Sequence, residues 1–307
     1  MKRISLFVFG IVCILVGVAG LILPILPGWV FIFLGLSFIA PEFAEKLKRR
    51  ILRKLSKKEI VYFDNWKKFG VRAGFTTRHF PVFLKNTDDL LNEDVQRRFH
   101  QALPLRTSYV VLNQVHGANI AVLEDEARFG EGFHHLIDTD GVVTRIKDLA
   151  LLVMTADCLS IFFHAPATKA SAPACRTGRG RPKWVGLVHA GWRGTREGIA
   201  AKAFRLILDK AQCAPRDVHI LFGPSIRKNY YEVGAEFQKY FPAVNKKNGK
   251  WYFDLAGENK RQLLRASAKP KNIWDTGLCT FSENEDFYSF RKEKEAAGRM
   301  VSFIFLK

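Results

Sequence analysis

The sequence predicts an α/β domain preceded by a transmembrane helical hairpin, and three observations carry that expectation. Residues 4–40 hold almost no charge and are interrupted at their centre by Leu23-Pro-Ile-Leu-Pro-Gly-Trp29. Two apolar runs in mid-chain, 149–158 and 184–194, have the length and composition of buried strands. Helix-like stretches, at 88–103 and 254–266 among others, alternate with further strand-like segments.

Composition bounds the rest. A chain of 307 residues, 48% hydrophobic with a mean hydropathy of −0.03, has ample length for a sizeable core. The net charge of +19 is unevenly spread. Residues 1–58 carry ten basic side chains against two acidic, and 169–183 carry five basic and none acidic, which leaves +6 for the remainder. The densest cluster abuts the hydrophobic segment, which favours a membrane surface over specific nucleic-acid binding. Five cysteines (Cys13, Cys158, Cys175, Cys213 and Cys279), with no Cys-x-x-Cys pair, do not make a disulfide framework. A reducing compartment follows.

Residues 4–40 are too long for a signal-peptide core. The central prolines divide them into a helix over about 4–23 and a shorter one over about 28–40. Lys2 and Arg3 flank one end, and Lys46 through Lys58 the other. Both ends are positive, so both are expected in the cytoplasm, with residues 59–307 on that side. One long kinked helix with the body outside is the alternative. The segment resembles small bacterial membrane proteins named for a Pro-Gly-Pro-Gly-Trp motif. Residues 43–59 read as a basic amphipathic linker, with Phe43, Leu47, Ile51, Leu52 and Leu55 on one face, suited to lipid headgroups. The expected division is 1–42 hairpin, 43–59 linker and 60–307 catalytic domain.

Within the body, Gly70-Val-Arg-Ala-Gly-Phe-Thr-Thr-Arg78 reads as a strand and polar turn, 88–103 as a helix stopped by Pro104, and 108–113 as a strand ending in Gln114-Val-His-Gly117. Asp138-Thr-Asp-Gly141 is a turn feeding a short strand. The Pro-, Gly- and Arg-rich stretch 166–183 reads as a surface loop. Thr195 is placed as the N-cap of a helix with Ile199, Ala203, Leu206 and Ile207 on its apolar face. Residues 218–222 and 300–305 read as strands, 231–240 as a helix.

Three strand ends offer His116, Cys158 and His189. Separations of 42 and 31 residues exclude a local zinc finger and suit a catalytic site assembled from distant strands. Such a set fits zinc and tolerates copper; equally, Cys158 could be a nucleophile activated by a histidine. Asp157 is placed to orient a ligand or move protons. Arg78, Arg193 and Arg291 sit beside polar turns suited to phosphate, and Gln114 could hydrogen-bond a base.

Asn113-Gln-Val-His-Gly117, Thr139-Asp-Gly-Val-Val-Thr144, Leu151-Leu-Val-Met-Thr-Ala-Asp-Cys158 and Val188-His-Ala-Gly-Trp-Arg-Gly194 occur in order. Gly223-Pro-Ser-Ile226, Tyr231-Glu-Val233, Phe253-Asp-Leu255, Cys279-Thr280, Phe287-Tyr-Ser-Phe-Arg291 and Gly298-Arg299 follow. Over about 60–307 this resembles the YfiH family, also called the laccase-domain or multicopper polyphenol oxidoreductase-like family. The resemblance implies a four-layer α/β/β/α domain with mixed sheets, phosphorolysis of purine nucleosides (adenosine, inosine, methylthioadenosine) and adenosine deamination. It further implies zinc on His116, Cys158 and His189, and a phosphate or substrate contact at Arg78. The chain departs from the family at His79-Phe-Pro-Val-Phe83, where Asn86 is the plausible counterpart of a family asparagine, and at Phe290 and Lys292-Glu293. Rival expectations are a copper-dependent polyphenol oxidase, a cysteine hydrolase by fold analogy, and a basic lipid- or nucleic-acid-binding module.

Overall fold

The computed structural model describes residue 11 and residues 57–103, 108–166, 183–242 and 244–307. Two compact units divide the chain, Met1–Lys58 and Glu59–Lys307. The expected hairpin, nearly all of the 43–59 linker and the interior of the 166–183 loop lie outside the described residues. Among the described residues, no helix is long and apolar enough to cross a membrane.

The second unit runs β1 (Ile60–Tyr62), β2 (Val71–Thr76), α1 (Glu93–Ala102), β3 (Ser108–Leu112), β4 (Ile120–Leu123), β5 (Gly132–Leu136) and β6 (Gly141–Thr144). Next come β7 (Leu149–Thr155), β8 (Leu159–Ala165), β9 (Trp184–Ala190), α2 (Trp192–Arg196), α3 (Ile199–Ala211) and β10 (His219–Phe222). It closes with β11 (Glu232–Val233), β12 (Asn245–Lys247), β13 (Lys250–Tyr252), α4 (Leu255–Arg265), β14 (Ile273–Asp275), α5 (Phe290–Glu293) and β15 (Met300–Leu306).

Two mixed six-stranded sheets result. One has the order β1-β2-β15-β7-β3-β5, the other β14-β10-β8-β9-β6-β4, and β11-β13-β12 form a small third sheet. The alternation along β7 explains how they stack. Leu149, Leu151 and Val153 join a core shared with Val142, Phe162, Val185 and Leu187 of the second sheet. Ala150, Leu152 and Met154 point the other way, into a core with Phe80, Leu90 and Phe99. Both faces are therefore covered, and the strand is buried throughout, as its unbroken apolar run requires. The far face of the second sheet packs on α3 and α4 through Ile199, Ala203, Phe204, Ile207 and Leu263. These five are a helical stripe or its partner, and burying each larger side chain contributes about 1.5–3 kcal/mol. The layer order is helix, sheet, sheet, helix.

The structure revises three local expectations. Residues 231–240 are not a helix but β11 followed by a 3₁₀ turn over Ala235–Lys239. Thr195 does not cap a helix start: it lies inside α2, whose N-cap is Gly191, while α3 starts after Gly198 in the left-handed region. The run 149–158 is β7 plus a three-residue link, and the link carries the chain from the first sheet into β8 of the second.

Candidate metal centre and cavity

The link is the place to start. Asp157 adopts φ 91°, a left-handed conformation rarely taken by non-glycine residues. Its carboxylate is tied down on both sides, Oδ1 accepting from the Thr280 hydroxyl at 2.6 Å and Oδ2 from the Arg291 backbone N–H at 2.6 Å. Its carbonyl accepts from the Ile226 N–H at 2.9 Å. These bonds hold a reversal that positions the next residue, Cys158.

His116 lies in the turn after β3, also with positive φ (62°). One buried carboxylate builds that turn. Asp140, fully buried, accepts from the backbone N–H groups of Val115 (3.3 Å), His116 (2.9 Å) and Gly117 (2.7 Å). It also accepts from His189 Nδ1–H at 2.8 Å, so His189 presents Nε2 to the site. Asp140 thus orients two histidines on different sheets, as carboxylates commonly do behind metal-bound imidazoles. Sequence reasoning placed Asp140 only in a turn; its position before Gly141 in a quoted motif was the one available signal.

The ligand atoms of His116, Cys158 and His189 all lie within 4.8 Å of one another, and the two imidazoles meet edge to face at 4.8 Å between centroids. An ideal Cβ added to Gly191 would stand 3.2 Å from Cys158 Sγ, 3.2 Å from His116 Cδ2 and 3.7 Å from His189 Cε1. Glycine therefore keeps open the space on which the three donors converge. Gly194 is needed for another reason: a Cβ there would come within 2.4 Å of the Gly117 carbonyl, so only glycine lets α2 pack against the His116 turn.

Electrostatics prepares the donors. Burial opposes ionisation of Cys158, yet the His189 charge and hydrogen bonds from both imidazoles bring its pKa down to about 6. Burial likewise opposes charge on His189, but the Cys158 thiolate and Asp140 hold it at about 9. Asp140 is desolvated too, and His189 with the turn N–H groups keeps it below the usual carboxylate range. Each group of the Cys158–His189 pair thus favours the charged form of the other. Two imidazoles and a thiolate around an open position suit a borderline-soft ion such as zinc, and also copper.

The three donors open into a cavity of about 540 Å³, within the range of small-molecule sites. Gln114, Asp157, Arg193 and Arg291 line it together with Lys85, which the sequence did not single out, and with Trp192, Tyr231, Phe290 and Arg299, which it offered only within motifs or as a departure and with no role assigned. Asn86 lines it as well, while capping the 3₁₀ turn Thr87–Leu91. Gln114 has both amide atoms engaged, Nε2 donating to the Met154 carbonyl and Oε1 accepting from the Met154 N–H, each at 2.8 Å. It clamps the His116 turn to β7. Arg78 is not among the lining residues; its guanidinium pairs with Glu293, donates to the Asn284 carbonyl and lies 4.6 Å over the Tyr288 ring.

Comparison with known proteins gives the family and the fold. Residues 84–307 match the family described as multi-copper polyphenol oxidoreductase laccase. Residues 3–57 match the family described as "Putative transmembrane protein (PGPGW)". The purine nucleoside phosphorylase YlmD of Geobacillus stearothermophilus is 31% identical over 261 residues, covering 76% of this chain and 90% of that protein. The purine nucleoside phosphorylase YfiH of Escherichia coli is 30% identical over 221 residues, covering 70% and 80%. Among solved structures, YfiH of Bacillus licheniformis superposes with a TM-score of 0.68 at 26% identity, over 81% of this chain and 97% of that one. YlmD of G. stearothermophilus gives 0.63 at 28% identity, over 78% and 92%. The expected mixed α/β fold with two large sheets is that of these relatives. With the match extending over most of its length, the chain belongs to the YfiH laccase-domain family of purine nucleoside phosphorylases.

Proposed function

We propose that the chain is a purine nucleoside phosphorylase that also deaminates adenosine, with zinc on His116, Cys158 and His189. We further propose that residues 4–40 anchor it in the membrane with the catalytic domain on the cytoplasmic side. The observation that carries the catalytic reading is the His–Cys–His cluster, backed by Asp140, in a cavity whose other charged side chains are mostly cations. The relatives named purine nucleoside phosphorylases supply the substrate class.

A zinc ion held there supplies Lewis acidity beside the substrate. The protein's own groups do the rest. In phosphorolysis a phosphate oxygen attacks ribose C1′ while the C1′–N9 bond breaks, and the purine leaves with the electron pair and takes a proton. Cavity arginines fix the phosphate and oppose its charge as that bond breaks. In deamination water adds at C6 and ammonia leaves. Asp157 carries the proton between them, since two hydrogen bonds fix its carboxylate at the cavity wall and leave lone pairs unused.

The polyphenol oxidase reading draws on the family's description. It calls for several copper ions, whereas the other histidines lie apart: His79 on Asp286, His100 on Tyr109, and His164 stacked on His219. The full-length protein, incubated with adenosine, should yield adenine and ribose 1-phosphate when phosphate is present, and inosine when it is not. Elemental analysis should find one zinc per chain. If neither adenine nor inosine forms, the proposal fails; several coppers per chain would replace it with oxidase chemistry.

A further inference from the structure

We propose that Arg193, Arg291 and Arg299 form the phosphate subsite of the cavity, and that Trp192, Tyr231 and Phe290 are the positioning residues that aim them. The inference rests on the phosphorolysis reading but makes a claim about binding that stands without turnover.

Each arginine lies over an aromatic ring that also lines the cavity. The guanidinium carbon of Arg193 is 4.6 Å from the Trp192 centroid, that of Arg291 is 5.3 Å from Tyr231, and that of Arg299 is 5.8 Å from Phe290. All three fall within cation–π range. The side-chain hydrogen bonds of Arg291 and Arg299 go to backbone carbonyls, those of Glu232 and of Ala297 and Gly298 respectively. Among the described residues none of the three pairs with a carboxylate.

The choice of partner has a consequence for anion binding. A carboxylate would orient a guanidinium equally well, but would neutralise it and compete with phosphate for the same donors. A ring holds the flat face and keeps the charge whole, and in Arg291 and Arg299, whose printed carbonyl bonds use Nη1, it leaves the Nε and Nη2 donors for an anion. Asp157 is the one carboxylate among the described lining residues, and its oxygens already accept from Thr280 and Arg291. Lys85 adds a fourth cation at the wall. The cavity wall therefore carries four cationic side chains against one carboxylate, a surplus of positive charge that suits a phosphate dianion.

Phe290 is the discriminating position, because it is 41% exposed and can be shortened without opening a core. Inorganic phosphate is titrated calorimetrically into the full-length protein and into Phe290→Leu, Phe290→Tyr and Arg299→Lys, with steady-state kinetics alongside. Phe290→Leu and Arg299→Lys should raise the phosphate Kd and KM about threefold to tenfold, with the nucleoside KM, zinc content and Tm unchanged. Phe290→Tyr should restore wild-type values. A phosphate Kd that does not move in Phe290→Leu overturns the inference, as does a rise in the nucleoside KM alone, which would make Phe290 a base-stacking plate. Wild-type protein that binds no phosphate also overturns it. Protein that binds phosphate in this ring-dependent way yet forms no adenine leaves the subsite standing and sinks the phosphorylase reading instead.

Discussion

Asp140 is the residue on which the candidate metal centre turns. Its four hydrogen bonds reach a turn 23 to 25 residues upstream and a histidine 49 residues downstream. Asparagine has the same shape but presents a donor where two donors already point. Asp140→Asn should therefore lose either the His189 bond or a turn N–H, and with it the His189 tautomer. Zinc affinity, measured by chelator competition, should fall about 10–100-fold. An unchanged affinity would show that the carboxylate only supports the fold. The three candidate ligands that the structure brings together were legible in the sequence because each is a ligand-type side chain at or beside the end of an apolar strand. Asp140 was not, because its role depends on pairings across two sheets that no local pattern encodes. Asp157, Arg193, Arg291 and Gln114, singled out from the sequence, line one cavity, but the amide of Gln114 is spent on β7, and Arg78 pairs with Glu293 outside that lining.

At the scale of elements, β8 is where sequence pattern fell short. The run from 149 to 165 is nearly all apolar, and the break inside it contains neither glycine nor proline. A left-handed aspartate makes the break instead, so two strands in two sheets read as one strand and a tail. The far end of β8 holds a second feature. His164 pairs in register with His219 of β10, and their rings stack at 5.9 Å beside Phe69. His164 is fully buried, and among the described residues neither ring nitrogen has a hydrogen-bond partner. Burial, then the neighbouring His219 and Lys183, push its pKa down to about 3. The unfolded chain can take up this proton below about pH 6.5 while the folded one refuses it, so stability is full above that pH and declines as pH falls towards 3. The slope from this group is about 1.4 kcal/mol per pH unit. Denaturant midpoints between pH 7.5 and 5 should fall for the wild type and fall less for His164→Phe. Parallel curves would assign the acid sensitivity elsewhere.

At the scale of the whole molecule, the layer order follows from apolar strands that must be covered on both faces, and that much was foreseeable. Of the net +19, residues 1–58 carry +8, eight of their ten basic side chains falling between Lys46 and Lys58 beside residues 4–40, which fits the proposed anchor. The donors themselves come from both halves of the sandwich. His116 follows β3 in the first sheet, His189 belongs to β9 in the second, and Cys158 sits on the chain that passes between them. A bound ion is therefore a clasp across two sheets, and it favours the folded state by about 2.7 kcal/mol when free metal stands 100-fold above its Kd. Stripping the protein with a chelator should lower its Tm, and readdition of zinc should restore it; a midpoint indifferent to both would dissolve the clasp. Sliding one sheet past the other would spread the three donors apart, so the cluster doubles as a gauge of register, fit to hold an ion only while both halves of the domain stay aligned.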